Sequence, residues 1–413
     1  MLRVRKAGFP ASPFTGGFDH TGEKVGSSGR KSIRGGIYAH PEHLNDGIEW
    51  SKTNNQQRNS IKIGAMFSEA ETHVQGVEPA GMNEDQLLQW CNQVEETWAV
   101  GTRYWTAEVY GFGRHIREYA YYPAHLPLLI NTDHGISMAD EPGKTDLESK
   151  APVQFCFSAR RANAWRKLSN KPCYVMYSPF VFYRRSNRVA QAKHAAGTLA
   201  FPAHTTPDID DETDYEQYSQ QLKALPEALQ PVSVCLHYHD INKGLHKIFM
   251  KHGFPVYSAG HPQDYRFTQR FYEILRQFRY STSNLVMSCL FYSVEMGIPH
   301  FLYGSKPLFV NKGDTNLATG KYDPENQFPR MRQVVKMFEG IHAHITGEQR
   351  KLVTEELGLR EGMSRLRMAV LLRYLYYKHS DDRQARLVRR CAAGPLGIVA
   401  FVKRKIATLA TKA

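Results

Sequence analysis

The chain is poor in cysteine and lacks the features of secreted, disulfide-linked or membrane-spanning proteins. Six cysteines are spread over 413 residues, with no Cys-x-x-Cys pair among them. Such spacing favours buried thiols in a reducing compartment over a disulfide framework or a zinc site. No apolar run approaches the ~20 residues that a membrane-spanning helix needs. Arg3, Arg5 and Lys6 have no apolar stretch behind them, so we expect no secretory signal and a cytoplasmic location.

Acidic residues are fewer than basic ones, and this imbalance points to an anionic partner. The chain has 53 Lys and Arg against 40 Asp and Glu, which gives a net charge of +13. A nucleotide sugar, an anionic membrane surface and a nucleic acid all fit that charge. An RNA-binding motif with interleaved aromatic residues is missing, so nucleic acid is the least favoured of the three.

Strand-like and helical segments alternate along most of the chain, which predicts an α/β fold with parallel sheets. Residues 1–60 are rich in Gly, Ser, Asn and basic residues without periodicity, and we expect them to be disordered or loosely attached. We predict one Rossmann-like domain over 61–190 and a second over 191–330. A basic, polar link from Tyr183 to His194 separates them. A helical, basic segment over 331–413 completes the predicted organisation.

Predicted strands of the second half end in polar residues. His204, Asp240 and His261 each follow a short apolar run, and Ser281–Ser283 follow another. Parallel strands place their carboxyl ends at one edge of the sheet, where ligands bind in open α/β folds. The sequence therefore predicts a binding site at this edge.

The stretch from Tyr280 to Pro299 is typical of a phosphate-binding turn and helix. Ser281, Thr282 and Ser283 precede an apolar run, and Gly297 stands where a helix should end. The free N–H groups and the dipole of a helix N-terminus favour an anion, and hydroxyl side chains add donors. We therefore expect the three hydroxyls to bind a phosphate; an ordinary helix cap without a ligand is the alternative.

Three short motifs follow predicted strands: Asp133-His134-Gly135, His261-Pro262 and Ser281-Thr-Ser283. They resemble the His-Gly turn, the nucleotide-contacting His-Pro pair and the paired-hydroxyl phosphate turn of GT-B glycosyltransferases. The resemblance is closest to bacterial capsule and lipopolysaccharide transferases, including those that use CMP-activated acidic sugars. The resemblance covers about residues 125–310. The chain departs from the bacterial sialyltransferases and polysialyltransferases in having no clear Asp/Glu-Asp/Glu-Gly motif, which leaves the identity of the base open.

This resemblance implies two Rossmann-like domains that face a cleft, with nucleotide contacts from His261, Ser281, Thr282 and Ser283. The position of His204 after a strand and of Glu295 near a helix end adds these two residues as candidate nucleotide contacts. His134 is a candidate catalytic base or acceptor-orienting residue, and Asp240 is a candidate base or nucleophile. Each has a structural alternative: a capped turn for His134 and a helix N-cap for Asp240. Glu295 is expected either to contact the nucleotide or to form a salt bridge with a nearby arginine.

No metal or other cofactor is expected, because GT-B enzymes resemble one another in usually working without a bound metal. Asp208-Ile-Asp210 fits the Asp-x-Asp pattern formally, but it lies in an acidic run that favours a solvated helix start. His237 and His239 share the spacing of a strand face, yet a third ligand is not evident. Arg184, Arg185 and Arg188 are either cleft contacts for an anion or solvated linker charges.

The segment over 361–413 combines many basic residues with an apolar patch at Leu396–Val402. Such a segment can lie on an anionic membrane but is too short to cross it, so we expect a peripheral position at the inner face of the plasma membrane.

The function that this sequence favours is transfer of a sugar, preferably a CMP-linked acidic sugar, to a cell-surface polysaccharide or lipid-linked acceptor. A UDP- or GDP-sugar transferase and a nucleotide-sugar epimerase of the same fold are the alternatives. A non-catalytic protein that binds anions or nucleic acid is the alternative from another class.

Overall fold

A five-stranded parallel sheet lies at the centre of the fold, and a smaller parallel sheet precedes it along the chain. The computed structural model describes residues 81–94, 104–314, 317 and 319–392. All of them belong to one compact unit, and residues 1–60 lie outside the described part. Among the described helices, none is long and apolar enough to cross a membrane.

The strands are β1 (Asn131–Thr132), β2 (Gln154–Cys156), β3 (Cys173–Val175), β4 (Thr198–Phe201), β5 (Ile209–Asp211), β6 (Val232–Cys235), β7 (Val256–Tyr257), β8 (Tyr280–Ser283), β9 (His300–Leu302), β10 (Phe309–Asn311) and β11 (Gly320–Tyr322). The helices are α1 (Glu84–Asn92), α2 (Phe112–Tyr119), α3 (Lys144–Glu148), α4 (Ala159–Leu168), α5 (Pro179–Ser186), α6 (Tyr215–Lys223), α7 (Tyr238–Asn242), α8 (His246–Lys251), α9 (Phe267–Leu275), α10 (Ser288–Met296), α11 (Pro324–Gln327), α12 (Pro329–Phe338), α13 (Gly347–Glu356), α14 (Arg365–His379) and α15 (Arg383–Ala392).

The central sheet has the strand order β7-β6-β4-β8-β9, with all its neighbours parallel. The chain starts in the middle at β4, moves outward through β6 and β7, and returns to continue through β8 and β9. The order therefore reverses between β4 and β8, which is where ligands bind in doubly wound sheets. The smaller parallel sheet has the order β1-β2-β3, and the α/β prediction is confirmed.

A third sheet was not predicted. Strands β5, β10 and β11 form an antiparallel sheet in which β10 pairs with both of the others. Its strand β5 contains Asp210 and Asp211, from the acidic run that the sequence analysis assigned to a solvated helix start. The helix does begin nearby, because the Asp214 side chain accepts a hydrogen bond from the Gln217 N–H at 2.8 Å.

One hydrophobic core joins the two parallel sheets. It includes Phe155 from β2, Phe201 from β4 and Phe271 from α9, all buried. Phe180 from α5 lies in the middle of this cluster, and its ring stacks on Tyr292 of α10 with centroids 4.4 Å apart. The predicted link from Tyr183 to His194 is therefore partly helical, because α5 extends to Ser186 and anchors the core. The division into two domains stays a prediction, and its boundary near residue 190 falls between α5 and β4.

We expect Phe180→Ala to lower the free energy of unfolding by about 3–5 kcal/mol, because the substitution leaves a cavity among packed aromatic rings. Chemical denaturation followed by circular dichroism measures this loss. The control is Leu168→Ala at the end of α4, where the side chain is half exposed and the expected change is about 0.5 kcal/mol or less. Equal effects of the two substitutions would contradict the central position of Phe180.

Candidate functional site

Four histidines gather at the carboxyl ends of β4, β6 and β7. The His204 and His237 rings have centroids 4.6 Å apart, and the His237 and His239 rings are 5.2 Å apart. Tyr238 lies between this group and His261, with its ring centroid 4.8 Å from that of His261. His204 and His261 thus lie at the edge where the strand ends place them, with His237 just before α7 and His239 in its first turn. That these residues bind a ligand stays a prediction.

Burial keeps these imidazoles neutral. It lowers the pKa of His204, His237 and His261, and it lowers the pKa of His239 to about 3. A neutral imidazole both donates and accepts a hydrogen bond, so the four rings are able to hydrogen-bond a ligand without carrying positive charge. Within the described residues, no group of three His, Cys, Asp or Glu side chains is arranged to hold a metal ion.

Asp240 is the acidic member of this edge. It lies inside the short helix α7, so the alternative prediction of an N-cap is wrong. Its Oδ1 accepts hydrogen bonds from the Thr205 N–H at 3.0 Å and from the Thr205 hydroxyl at 2.8 Å, while its buried Oδ2 has no protein partner among the described residues. Burial raises the pKa of Asp240 to about 7. A carboxyl group that titrates near neutral pH is suited to accept or donate a proton.

A cavity opens at the carboxyl ends of β8 and β9, and its lining includes neither Asp240 nor any of the four histidines. Its volume is about 620 Å³. Leu285 and Tyr303 line it from the central sheet, Leu308 and Tyr322 from the third sheet, and Lys306 from the intervening loop. A mainly apolar cavity with aromatic rings and a few polar groups is typical of a small-molecule site. Neither the cavity nor its lining was predicted, because the third sheet was missed.

Asn284 connects the cavity to the histidine cluster. Its Oδ1 accepts from the Ala203 N–H at 2.8 Å, and its Nδ2 donates to the Ser305 carbonyl at 2.9 Å. Ala203 directly precedes His204, and Asn284 itself lines the cavity. One side chain thus holds together the loops that follow β4, β8 and β9, at the point where the strand order reverses.

The three predicted phosphate donors lie elsewhere than expected. Ser281, Thr282 and Ser283 belong to strand β8 rather than to a turn, and all three are fully buried. The helix that follows begins only at Ser288, and its N-cap residue, Met287, supplies no side-chain cap. The predicted helix end is confirmed, because Gly297 adopts φ +96° at the C-cap.

The hydroxyls of β8 face the neighbouring strand β9. The Ser281 Oγ lies 2.9 Å from His300 Nδ1, and the Ser283 Oγ lies 3.0 Å from His300 Nε2. The Thr282 hydroxyl donates to the Phe301 carbonyl at 2.8 Å. Burial lowers the pKa of His300 to about 3, so a neutral ring bridges the two serines. The sequence analysis did not single out His300, because the register that places it opposite Ser281 cannot be read from the pattern.

Glu295 is held in an ion pair near the end of α10. Its side chain is 3% exposed, and it accepts from Arg184 Nε at 2.5 Å and from Arg185 Nε at 2.9 Å. Of the two expectations for Glu295, the structure shows the salt bridge with nearby arginines. The pair offsets the unfavourable position of a carboxylate near a helix C-terminus.

His134 follows β1, and its loop meets the start of α10. The ring centroids of His134 and Trp105 are 4.9 Å apart. Two residues later, the Ile136 N–H donates to the Ser288 Oγ at 2.9 Å. Asp133 fixes the base of this loop by accepting from the Phe157 N–H at 3.0 Å. The predicted His-Gly turn thus faces the helix that follows β8.

The Asp-x-Asp pattern at Asp208–Asp210 carries no metal-binding arrangement. Asp210 forms an ion pair with Lys312 on the surface of β5 and β10. Asp211, one residue beyond the pattern, accepts from Thr213 and Tyr215. The Asp210 carboxylate is therefore engaged by a protein cation.

Comparison with known proteins assigns no family to this chain. No protein-family model matches the chain, and no curated protein matches it. Among solved structures, it is similar to a chain of the Glycosylation Associate Protein (Gap123) complex from Streptococcus agalactiae, with 13% identity and a TM-score of 0.26. The similarity covers 60% of this chain and 45% of that one, so this chain spans less than half the length of its structural neighbour. A TM-score this low supports no argument about function.

We expect Ser281→Ala to lower the free energy of unfolding by about 1–3 kcal/mol, because it leaves His300 Nδ1 buried without its partner. Thermal unfolding measures the loss. Ser186→Ala at the exposed end of α5 is the control, with no expected change. A Ser281→Ala protein that keeps its stability but loses nucleotide binding would instead support the phosphate-binding prediction.

Proposed function

We propose that this protein is a nucleotide-sugar-dependent glycosyltransferase that acts on a polysaccharide or lipid-linked acceptor. The cavity at the carboxyl ends of β8 and β9 carries the proposal. It lies beside the point where strand order reverses, its lining is mainly apolar, and Asn284 connects it to a cluster of buried, titratable groups. Nucleotides occupy this place in doubly wound sheets.

The nucleoside fits the cavity, with its base against Tyr303 or Tyr322 and the apolar side chains of Leu285 and Leu308. Leu285 precedes the first residue of α10 by three positions, so the positive end of the α10 dipole lies within about 10 Å of the cavity. In this proposal a phosphate is held by that helix terminus and by Lys306, which would exchange its 2.7 Å ion pair with Glu325 for the phosphate, and the hydroxyls of β8 make no contact with it.

Asp240 is proposed as the general base. Its carboxylate takes the proton from the acceptor hydroxyl as the acceptor oxygen bonds to the anomeric carbon, and the bond from that carbon to the donor phosphate oxygen breaks with release of the nucleotide. The neutral imidazoles of His204, His237 and His239 offer hydrogen bonds to the substrates near this carboxylate. His134, on the β1 loop, is proposed to orient the acceptor. The preference for CMP rests only on the resemblance of His261-Pro262 to the nucleotide-contacting His-Pro pair, and it stays a prediction, because His261 does not line the cavity.

Leu308→Trp tests the cavity directly. The side chain is 43% exposed and lines the cavity, so we expect the indole to project into the cavity and obstruct the nucleoside without disturbing the core. CMP is expected to raise the melting temperature of the unmodified protein more than UDP or GDP does, and this rise should disappear in the variant. Leu168→Trp, at a residue 50% exposed on α4, is the control and should keep the full response. Stabilisation that survives in Leu308→Trp would place the nucleotide elsewhere.

The pH dependence of turnover tests Asp240. A general base acts as the carboxylate, so its pKa of about 7 predicts that kcat/KM falls as the pH drops below 7. The expected fall is about tenfold for each pH unit once the group is mostly protonated. Asp240→Asn should reduce turnover by about 100-fold or more and abolish this acidic limb, while the affinity for CMP is unchanged.

Asp85→Asn, at an exposed position in the first turn of α1, is the matched control and should leave the profile unchanged. Release of sugar from the donor at the same rate with and without acceptor would argue for an epimerase or hydrolase. If kcat/KM of Asp240→Asn still falls at low pH, Asp240 is not the general base. His134 is then the next residue to test.

A further inference from the structure

Helix α14 is apolar on two opposite sides. One side packs into the core through Met368, Leu372, Leu375 and Tyr376, all buried. The other side presents Leu366, Val370, Tyr374 and Tyr377, which are 75%, 62%, 54% and 38% exposed. Residues three or four apart lie on one face of a helix, so these four side chains form a continuous stripe about 17 Å long. Leu387 and Val388 of α15 add exposed apolar area, at 46% and 40% exposure.

The charged residues of α14 and α15 are all basic. Along the chain the flanking acids are Glu361, before α14, and Asp381 and Asp382, between the helices; Asp382 is engaged with Tyr376 and with the start of α15. Glu118 also lies nearby, because its carbonyl accepts from Arg365 at 3.2 Å, and its carboxylate is paired with Arg114.

Some of the basic side chains hold the helices in place. Arg365 Nε donates to the Tyr119 carbonyl at 2.9 Å, and Arg389 donates to the Tyr377 carbonyl at 2.6 Å. Others stay exposed on the two helices: Arg367 and Lys378 on α14, and Arg383 and Arg386 on α15. Lys378 Nζ lies 5.3 Å from the centre of the Tyr374 ring, so charge and apolar surface are directly adjacent.

The combination of an exposed apolar stripe and basic charge distinguishes between the molecules that could cover this face of α14. A second copy of the chain would bring two acid-free basic faces together, which like charge opposes. Residues 393–413 of the same chain combine the apolar patch Leu396–Val402 with further basic residues, so this segment has the same lipid-binding character as the stripe. A nucleic acid would satisfy the charge but would leave Leu366 and Val370 without an apolar partner. An anionic lipid surface satisfies both, because its headgroups attract the basic residues and its acyl region takes up the apolar side chains.

We propose that the exposed face of α14, with the adjoining part of α15, docks on an anionic lipid surface. The docking face is independent of the nucleotide site, which lies at the carboxyl edge of the central sheet. Peripheral binding of this kind requires no membrane-spanning helix. It would hold the protein beside lipid-linked molecules.

Co-sedimentation of the full chain with lipid vesicles tests the docking face. We expect binding to vesicles that contain phosphatidylglycerol, weak binding to pure phosphatidylcholine, and loss of binding at high salt. The double substitution Leu366→Ser with Arg367→Glu should reduce partitioning by about tenfold or more, because it removes one inserted side chain and reverses one charge. Circular dichroism shows whether the variant is folded.

The matched control carries the same two changes on another helix. Lys167→Glu with Leu168→Ser alters a neighbouring exposed pair at the end of α4 and should leave vesicle binding unchanged. Equal binding by both variants would overturn the proposal and assign the interaction to another part of the chain. So would salt-sensitive binding to an oligonucleotide that the α14 variant abolishes while vesicle binding persists. A dimer in light scattering that the α14 variant converts to monomer would show that a second copy covers the stripe.

Discussion

In the central sheet, β4 pairs in parallel with both β6 and β8, and this pairing determines where the groups of the candidate site lie. Parallel pairing forces the chain to leave each strand at the same edge, so the loops after β4, β6 and β7 deliver His204, His237 and His261 to one place. The reversal of strand order between β4 and β8 separates the loops that leave these two strands. Asn284 spans this separation and ties the loops together.

Burial accounts for the chemistry of this edge. Removing an ionisable group from water favours its neutral form, which lowers the pKa of a histidine and raises that of a carboxyl group. The same effect thus keeps His239 neutral and brings Asp240 to a pKa of about 7. In the buried Ser281–His300–Ser283 bridge, a neutral histidine stabilises the fold, because both of its ring nitrogens have hydroxyl partners. Asp240 differs in that only one of its oxygens has a protein partner among the described residues.

The sequence predicted those elements whose local pattern agrees with their final environment. Strands β2, β4 and β6 are short, mainly apolar segments of the kind that a buried parallel sheet requires. The same reasoning failed at β8, because serine and threonine are common at helix starts and their burial depends on a partner on another strand. It also missed β5, whose two aspartates are unusual in a strand and which is stabilised by pairing with distant β10.

As with the fold, the sequence predicted only part of the candidate site. The gathering of His204, Asp240 and His261 follows from alternating strands and helices alone. The cavity does not follow from this alternation, because Leu308 and Tyr322 line it only where the antiparallel sheet has formed. Glu295 illustrates an ambiguity that a pattern cannot resolve: a carboxylate near a helix end needs a cation, and only the packing of α5 on α10 shows that Arg184 supplies it.

A crystal structure of the full chain with CMP tests the central claim most directly. The account predicts the nucleoside in the cavity between Leu285, Tyr303 and Leu308, with its phosphate towards the start of α10 and the Ser281–His300–Ser283 bridge unchanged. Nucleotide density at another surface, or a phosphate bound by the hydroxyls of β8 after that bridge has opened, would contradict it.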